Sequence, residues 1–147
     1  LNTRKGVERI VRAAFEFAKA TGRTRVAMAD KSNAMKHAHE LWYRCFFEVA
    51  KSYPGIEAKH VYVDALCLYM IQDPGSLQVV VTNNLFGDIV TDLGAALQGG
   101  LGMAASANVH PLSATDGSSV GAGRTPTRPY PSSAVPRRNT SGPAQVT

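Results

Sequence analysis

The run Val79-Val80-Val81-Thr82, followed by Asn83-Asn84 and then Leu85 to Leu97 at helical spacing, restricts this chain more than any other stretch. The β-branched residues from Leu77 to Thr82 read as a buried strand, the two asparagines end it, and Gly99-Gly100 closes the helix that follows. A strand feeding directly into a helix at its carboxyl end is the unit of an α/β sheet. The helix also carries Asp88 and Asp92, four residues apart and therefore about 40° apart on one face, one turn above the other. Two stacked like charges repel. Asp88 alone reads as an acidic first turn that favours the helix dipole. Asp92 lies a turn further in, where the dipole does less, so the pair points to a hard divalent cation, Mg²⁺ or Mn²⁺. Two carboxylates are a weak signal for metal, and a third, Asp64, would make it a convincing one.

The same alternation runs through the preceding residues. Val7, Ile10, Val11, Ala14, Phe15 and Ala18 mark an amphipathic helix with Thr3 as a candidate N-cap and Gly22 at its end. Arg25 to Ala29 reads as a short buried strand, with Asp30-Lys31-Ser32-Asn33 at its carboxyl end. A second helix is expected from about Ala34 to Ser52, with Ala38, Leu41, Trp42, Cys45 and Val49 as its core stripe, broken by Tyr53-Pro54-Gly55. His60 to Val63 reads as the next strand with Asp64 directly at its end, and Ala65 to Gln72 as a short apolar helix stopped by Pro74. Helices alternating with short buried strands predict an α/β domain with largely parallel neighbours. Such sheets gather polar groups at the carboxyl ends of their strands. Lys31, Asp64 and the turn from Asn83 to Asp92 therefore belong at one edge. Singly, Lys31 reads as a solvated loop lysine and Asp64 as an ordinary strand terminator. A lysine held beside an aspartate, however, is suited to proton transfer. The four histidines show no ligand spacing and receive no role, while Trp42 and Met70 are assigned to the core. Gly99-Gly100-Leu101-Gly102 follows a helix and lacks the lysine of a phosphate loop.

Charge separates the chain into two parts. Residues 1–111 hold 12 Lys/Arg against 10 Asp/Glu, whereas residues 112–147 hold four Arg against one Asp. The tail therefore supplies +3 of the net charge of +5, and the basic face with interleaved aromatics expected of a nucleic-acid binder is missing. Residues 112–147, with five Pro and four Gly and no apolar period, read as a disordered tail. Cys45 and Cys67 sit in apolar helical patterns without metal spacing and read as buried free thiols, which favours a reducing, cytoplasmic compartment. No apolar run approaches the ~18 residues needed to span a membrane. The first residues carry no signal-like apolar region and no initiator Met, as expected of an internal segment.

Four segments together resemble the isocitrate/isopropylmalate dehydrogenases. They are Asp30-Lys31-Ser32-Asn33; Tyr62-Val63-Asp64-Ala65; Asn84-Leu85-Phe86-Gly87-Asp88-Ile89-Val90-Thr91-Asp92-Leu93; and Gly100-Leu101-Gly102-Met103-Ala104-Ala105-Ser106. The resemblance covers residues 1 to about 111 and implies part of that fold. It also implies NAD-dependent oxidative decarboxylation of a 2-hydroxy acid. Isopropylmalate is the best match, with isocitrate, homoisocitrate and tartrate as close alternatives. By this resemblance Asp64, Asp88 and Asp92 match residues that bind Mg²⁺ or Mn²⁺, an ion that holds the substrate's hydroxyl and carboxylate and stabilises the enolate after CO₂ departs. Lys31 and Asp64 match the catalytic pair, and Asp64 and Asn33 match residues near the substrate. The family pattern is a homodimer with shared sites, in which Lys31 and Asp64 serve the partner's site and Asp88 and Asp92 their own. The family's substrate-binding arginines and its adenosine loop have no counterpart here, so no NAD-binding residue is assigned. The change of composition after Pro111 suggests a shifted reading frame, and residues 1–147 alone are expected to be inactive. The rival class is a non-catalytic or regulatory subunit that pairs with an intact homologue.

Overall fold

The computed structural model describes residues 2–100 and 102, together with the backbone of 144–146. Helix α1 (Arg4–Ala20) starts at Thr3, whose Oγ1 accepts the Gly6 N–H at 3.2 Å, as the sequence predicts. It buries Val7, Val11, Ala14, Phe15 and Ala18, and ends before Gly22, which turns the chain at φ 67°. Strand β1 (Arg25–Asp30), helix α2 (Lys36–Ala50), strand β2 (Glu57–Tyr62) and helix α3 (Val63–Gln72) follow. A 3₁₀ turn (Pro74–Ser76) leads into β3 (Val79–Thr82) and α4 (Asn84–Leu97), and β4 is Ala144–Val146.

All strand pairs are parallel, in the order β2-β1-β3-β4. The register places Asp30 beside Tyr62 and Ala29 beside Thr82, so β1, β2 and β3 finish at one edge. Helices cover both faces, the three-layer arrangement that a parallel sheet requires. Val26, Met28, Val79 and Val81 point toward α1 and α2, where Phe15, Trp42, Phe46 and Tyr53 complete a large core. The intervening residues Ala27, Ala29 and Val80 point the other way, to a smaller core with Leu66, Met70 and Val90 of α3 and α4. Alternation along each strand thus assigns valines and a methionine to one face, and two alanines with Val61 and Val80 to the other.

Several boundaries differ from the sequence reading, each for a local reason. Helix α2 begins at Lys36, because Ala34 and Met35 N–H groups both close a turn on the Lys31 carbonyl. Its core stripe is His39, Trp42, Cys45, Phe46 and Val49; Ala38 is exposed, one position out of phase with the expected stripe. Strand β2 begins at Glu57 and ends at Tyr62. As the outer strand of the sheet it is half solvated, so its first residues, Glu57-Ala58-Lys59, carry no apolar signature. Asp64 consequently sits in the first turn of α3 rather than at a strand end, where its charge favours the helix dipole. Leu77 and Gln78 precede β3, and Gln78 Oε1 accepts the Thr24 and Arg25 N–H groups instead of continuing the strand. Cys45 is buried as expected, but Cys67 is only half-buried. The backbone of Ala144–Val146 pairs with Val79–Val81. The rest of the 112–147 expectation lies outside the described residues. Among the described residues no helix is long and apolar enough to cross a membrane.

Candidate active site

The carboxyl edge of the sheet collects three polar loops. Lys31 leaves the end of β1 and reaches across to the first turn of α3, where its Nζ lies 2.6 Å from Asp64 Oδ1. The lysine is half-buried and the aspartate exposed. The Lys31 ammonium, with help from a backbone N–H at the helix start, holds the Asp64 carboxyl below its usual range. Asn33 lies exposed in the turn that follows.

The third loop is the start of α4. Asn83 caps it, its Oδ1 accepting the Phe86 N–H at 3.0 Å. Asn84 Nδ2 donates to Asp88 Oδ2 at 3.2 Å, one turn on, and Asp92 follows after another turn. Both aspartates are exposed, and neither forms an ion pair with a cationic side chain among the described residues. Two carboxylates one turn apart with no lysine or arginine between them make a fitting half-site for a hard divalent ion. They are not a whole site. No three His, Cys, Asp or Glu side chains among the described residues form a metal-holding group, so one chain does not bring Asp64 together with Asp88 and Asp92.

Beneath these loops lies a buried polar layer that no sequence spacing announces. Asp30, 2% exposed, accepts the Ser32 N–H at 3.0 Å and faces His60 Nε2 at 2.8 Å, both through Oδ1. Its Oδ2 is buried with no hydrogen-bond partner among the described residues. His39, equally buried, accepts the Lys31 N–H on Nδ1 at 2.9 Å. Thr82 donates its hydroxyl to the Ala29 carbonyl at 2.7 Å, filling the edge between β1 and β3. Neither histidine carries a signal in the sequence, because neither has ligand spacing. The i, i+3 relation of His39 to Trp42 is the one available clue, since it puts the ring on the core stripe.

The sequence model of the isocitrate/isopropylmalate dehydrogenase family matches residues 1–121. This chain belongs to that family. It is 47% identical to a 3-isopropylmalate dehydrogenase of Frankia casuarinae over 111 residues, 76% of this chain and 32% of the relative. It is 51% identical to that of Archaeoglobus fulgidus over 107 residues, 73% of this chain and 33% of the relative. Among solved structures, the TT0538 protein of Thermus thermophilus superposes with a TM-score of 0.73 at 48% identity, over 76% of this chain and 22% of that one. The isocitrate dehydrogenase of Methylococcus capsulatus superposes with a TM-score of 0.68 at 45% identity, over 69% and 30%. The chain thus spans about a third of the length of the curated relatives it matches.

Proposed function

We propose that this chain carries the metal-binding and proton-transfer segment of a dehydrogenase that oxidatively decarboxylates a 2-hydroxy acid, 3-isopropylmalate before isocitrate, homoisocitrate or tartrate. The observation that supports it is the Lys31–Asp64 pair, held at the same sheet edge as the two aspartates of α4. Asp88 and Asp92 would hold Mg²⁺ or Mn²⁺ from one chain, and Asp64 of a second copy would complete the set. Such an ion would supply positive charge that stabilises the oxyanion of a 2-hydroxy acid substrate. Lys31, after its ammonium has released one proton to solvent, would take the substrate's hydroxyl proton on the neutral Nζ, with Asp64 orienting it at 2.6 Å. Asn33, exposed beside them, is placed to meet substrate.

A shared site also accounts for the apolar stripe on α4. Leu85 and Ile89 are more than half exposed, and Asp92 lies three residues beyond Ile89, about 60° around the helix. A second copy seated on that stripe brings its own loops to the flanking aspartates. The rival reading, a non-catalytic subunit, is disfavoured by three carboxylates and a lysine that the fold itself does not need on an exposed edge.

A chimera tests the proposal. Residues 1–111 replace the matching stretch of the Archaeoglobus fulgidus 3-isopropylmalate dehydrogenase, and NAD reduction is followed with each acid and Mn²⁺. The expected result is turnover of 3-isopropylmalate that Lys31→Met or Asp92→Asn lowers at least about a hundredfold. A folded chimera with no turnover of any of the acids would contradict it.

A further inference from the structure

His39 occupies a position that the proposed chemistry does not use and that its surroundings explain. Its ring is 2% exposed, on the first turn of α2, wedged between the lysine loop and the start of α4. A backbone amide only donates, so the 2.9 Å contact with the Lys31 N–H makes Nδ1 the accepting nitrogen and puts the ring proton on Nε2. On the other side Nε2 lies 3.2 Å from Asn83 Nδ2, and the ring meets Phe86 edge-on at 5.6 Å between centroids. Asn83 Oδ1 is engaged by the Phe86 N–H, so with the ring proton on Nε2 this contact sets two donors side by side, and the bond from Lys31 is the one the ring makes. The ring is therefore hydrogen-bonded to the loop that carries Lys31 and packed against the cap of the helix that carries Asp88 and Asp92.

We propose that His39 is a positioning residue, an Nε2–H imidazole that fixes the backbone of Lys31 relative to the start of α4. Its functional meaning, that the lysine amine is held in register for proton transfer, rests on the reading of Lys31 given above. The backbone tie itself does not. A side chain as long and mobile as lysine needs its Cα fixed before a 2.6 Å contact to Asp64 can persist. Asp30, through the Ser32 N–H, holds the next residue of the same turn. Of the two holds, only His39 also touches α4.

The test uses the full 147-residue chain and two substitutions. His39→Phe keeps a ring and removes the acceptor, whereas His39→Asn places an amide oxygen near the position of Nδ1. In His39→Phe the Lys31 amide is expected to exchange with solvent at least about tenfold faster, with the Met28 and Ala29 amides of β1 unchanged. His39→Asn is expected to restore most of the protection, and reductive methylation of the Lys31 amine to follow the same order, fast in Phe and slow in Asn and parent. Unchanged exchange at Lys31 in a folded His39→Phe would overturn the tie, and unchanged methylation would overturn the positioning of the amine. Should His39→Phe fail to fold, the nitrogen spectrum of the parent ring decides. A proton on Nε2 supports the proposal and a proton on Nδ1 refutes it. Failure of the parent to bind Mn²⁺ would instead count against the dehydrogenase reading, with the exchange result still deciding the role of His39.

Discussion

The two faces of the sheet are built differently. The α1/α2 face is closed. Phe15 stacks on Tyr53 at 5.0 Å and tilts against Phe46 at 5.5 Å, and the strands present valines and a methionine to them. The α3/α4 face receives smaller side chains from the sheet, Ala27, Ala29, Val61 and Val80, and its helices turn Leu68, Ile71, Leu85, Ile89 and Leu97 outward, each about half exposed or more. Isolated exposed leucines need no explanation, but a stripe at helical spacing on two adjacent helices does. Stability and function are thus separated across the sheet. One layer supplies the larger buried core, and the other carries the aspartates and the apolar surface on which the proposed function seats a second copy of the chain.

Substitutions in each layer probe that contrast. The largest effect is expected in the closed layer, where Phe15→Ala should cost about 3–5 kcal/mol, read as a lowered urea midpoint. A loss below about 1 kcal/mol would mean the α1/α2 core is not the stabilising layer. On the open layer, Ile89→Glu should change folding stability by no more than about 0.5 kcal/mol while shifting sedimentation from dimer to monomer. A monomeric parent would remove the reason given for that stripe. The thiols offer a gentler comparison. Burial pushes the Cys45 thiol up, so a maleimide should label half-buried Cys67 first and Cys45 only on unfolding. Equal rates would mean that α2 opens as readily as α3.

The smallest effect is electrostatic. The carboxyl of Asp64 is depressed by Lys31, so the pair's contribution is present above the ordinary aspartate value of about 4. It is lost as pH falls through the depressed value. Because Asp64 is exposed, the effect on global stability is small, and carbon NMR of its carboxyl is the better readout. The midpoint should lie below the ordinary value in the parent and return to it in Lys31→Met. An unchanged midpoint would place the cause elsewhere.

Much of this is legible in the chain, for reasons that differ by element. The end of β3 and the span of α4 can be read nearly to the residue, because a run of β-branched residues ended by asparagines leaves few alternatives, although the strand starts two residues later than read. The shared edge of Lys31, Asp64 and Asn83 follows from parallel pairing alone. Strand β2 reads too short because the first half of an outer strand is polar and pairs through backbone rather than side chains. The placement of Asp64 in α3 is hidden for the same reason. Trp42, Cys45 and Val49 of α2 are buried as read, and only the first position is off, Ala38 for His39, because a buried histidine counts as polar in any pattern and only the fold shows its hydrogen bond to Lys31. The polar layer beneath the loops is illegible, since the pairs Lys31–His39, Asp30–His60 and Ala29–Thr82 are separated by eight to 53 residues. Side chains that meet only in the fold leave no spacing to read.

That Asp88 and Asp92 form half of a metal site is tested most directly by Mn²⁺ calorimetry on the parent chain and on Asp92→Asn. Saturable binding is expected of the parent, with affinity at least about tenfold weaker in the variant. Equal affinity in both chains would make the two aspartates ordinary helix residues and would contradict the half-site.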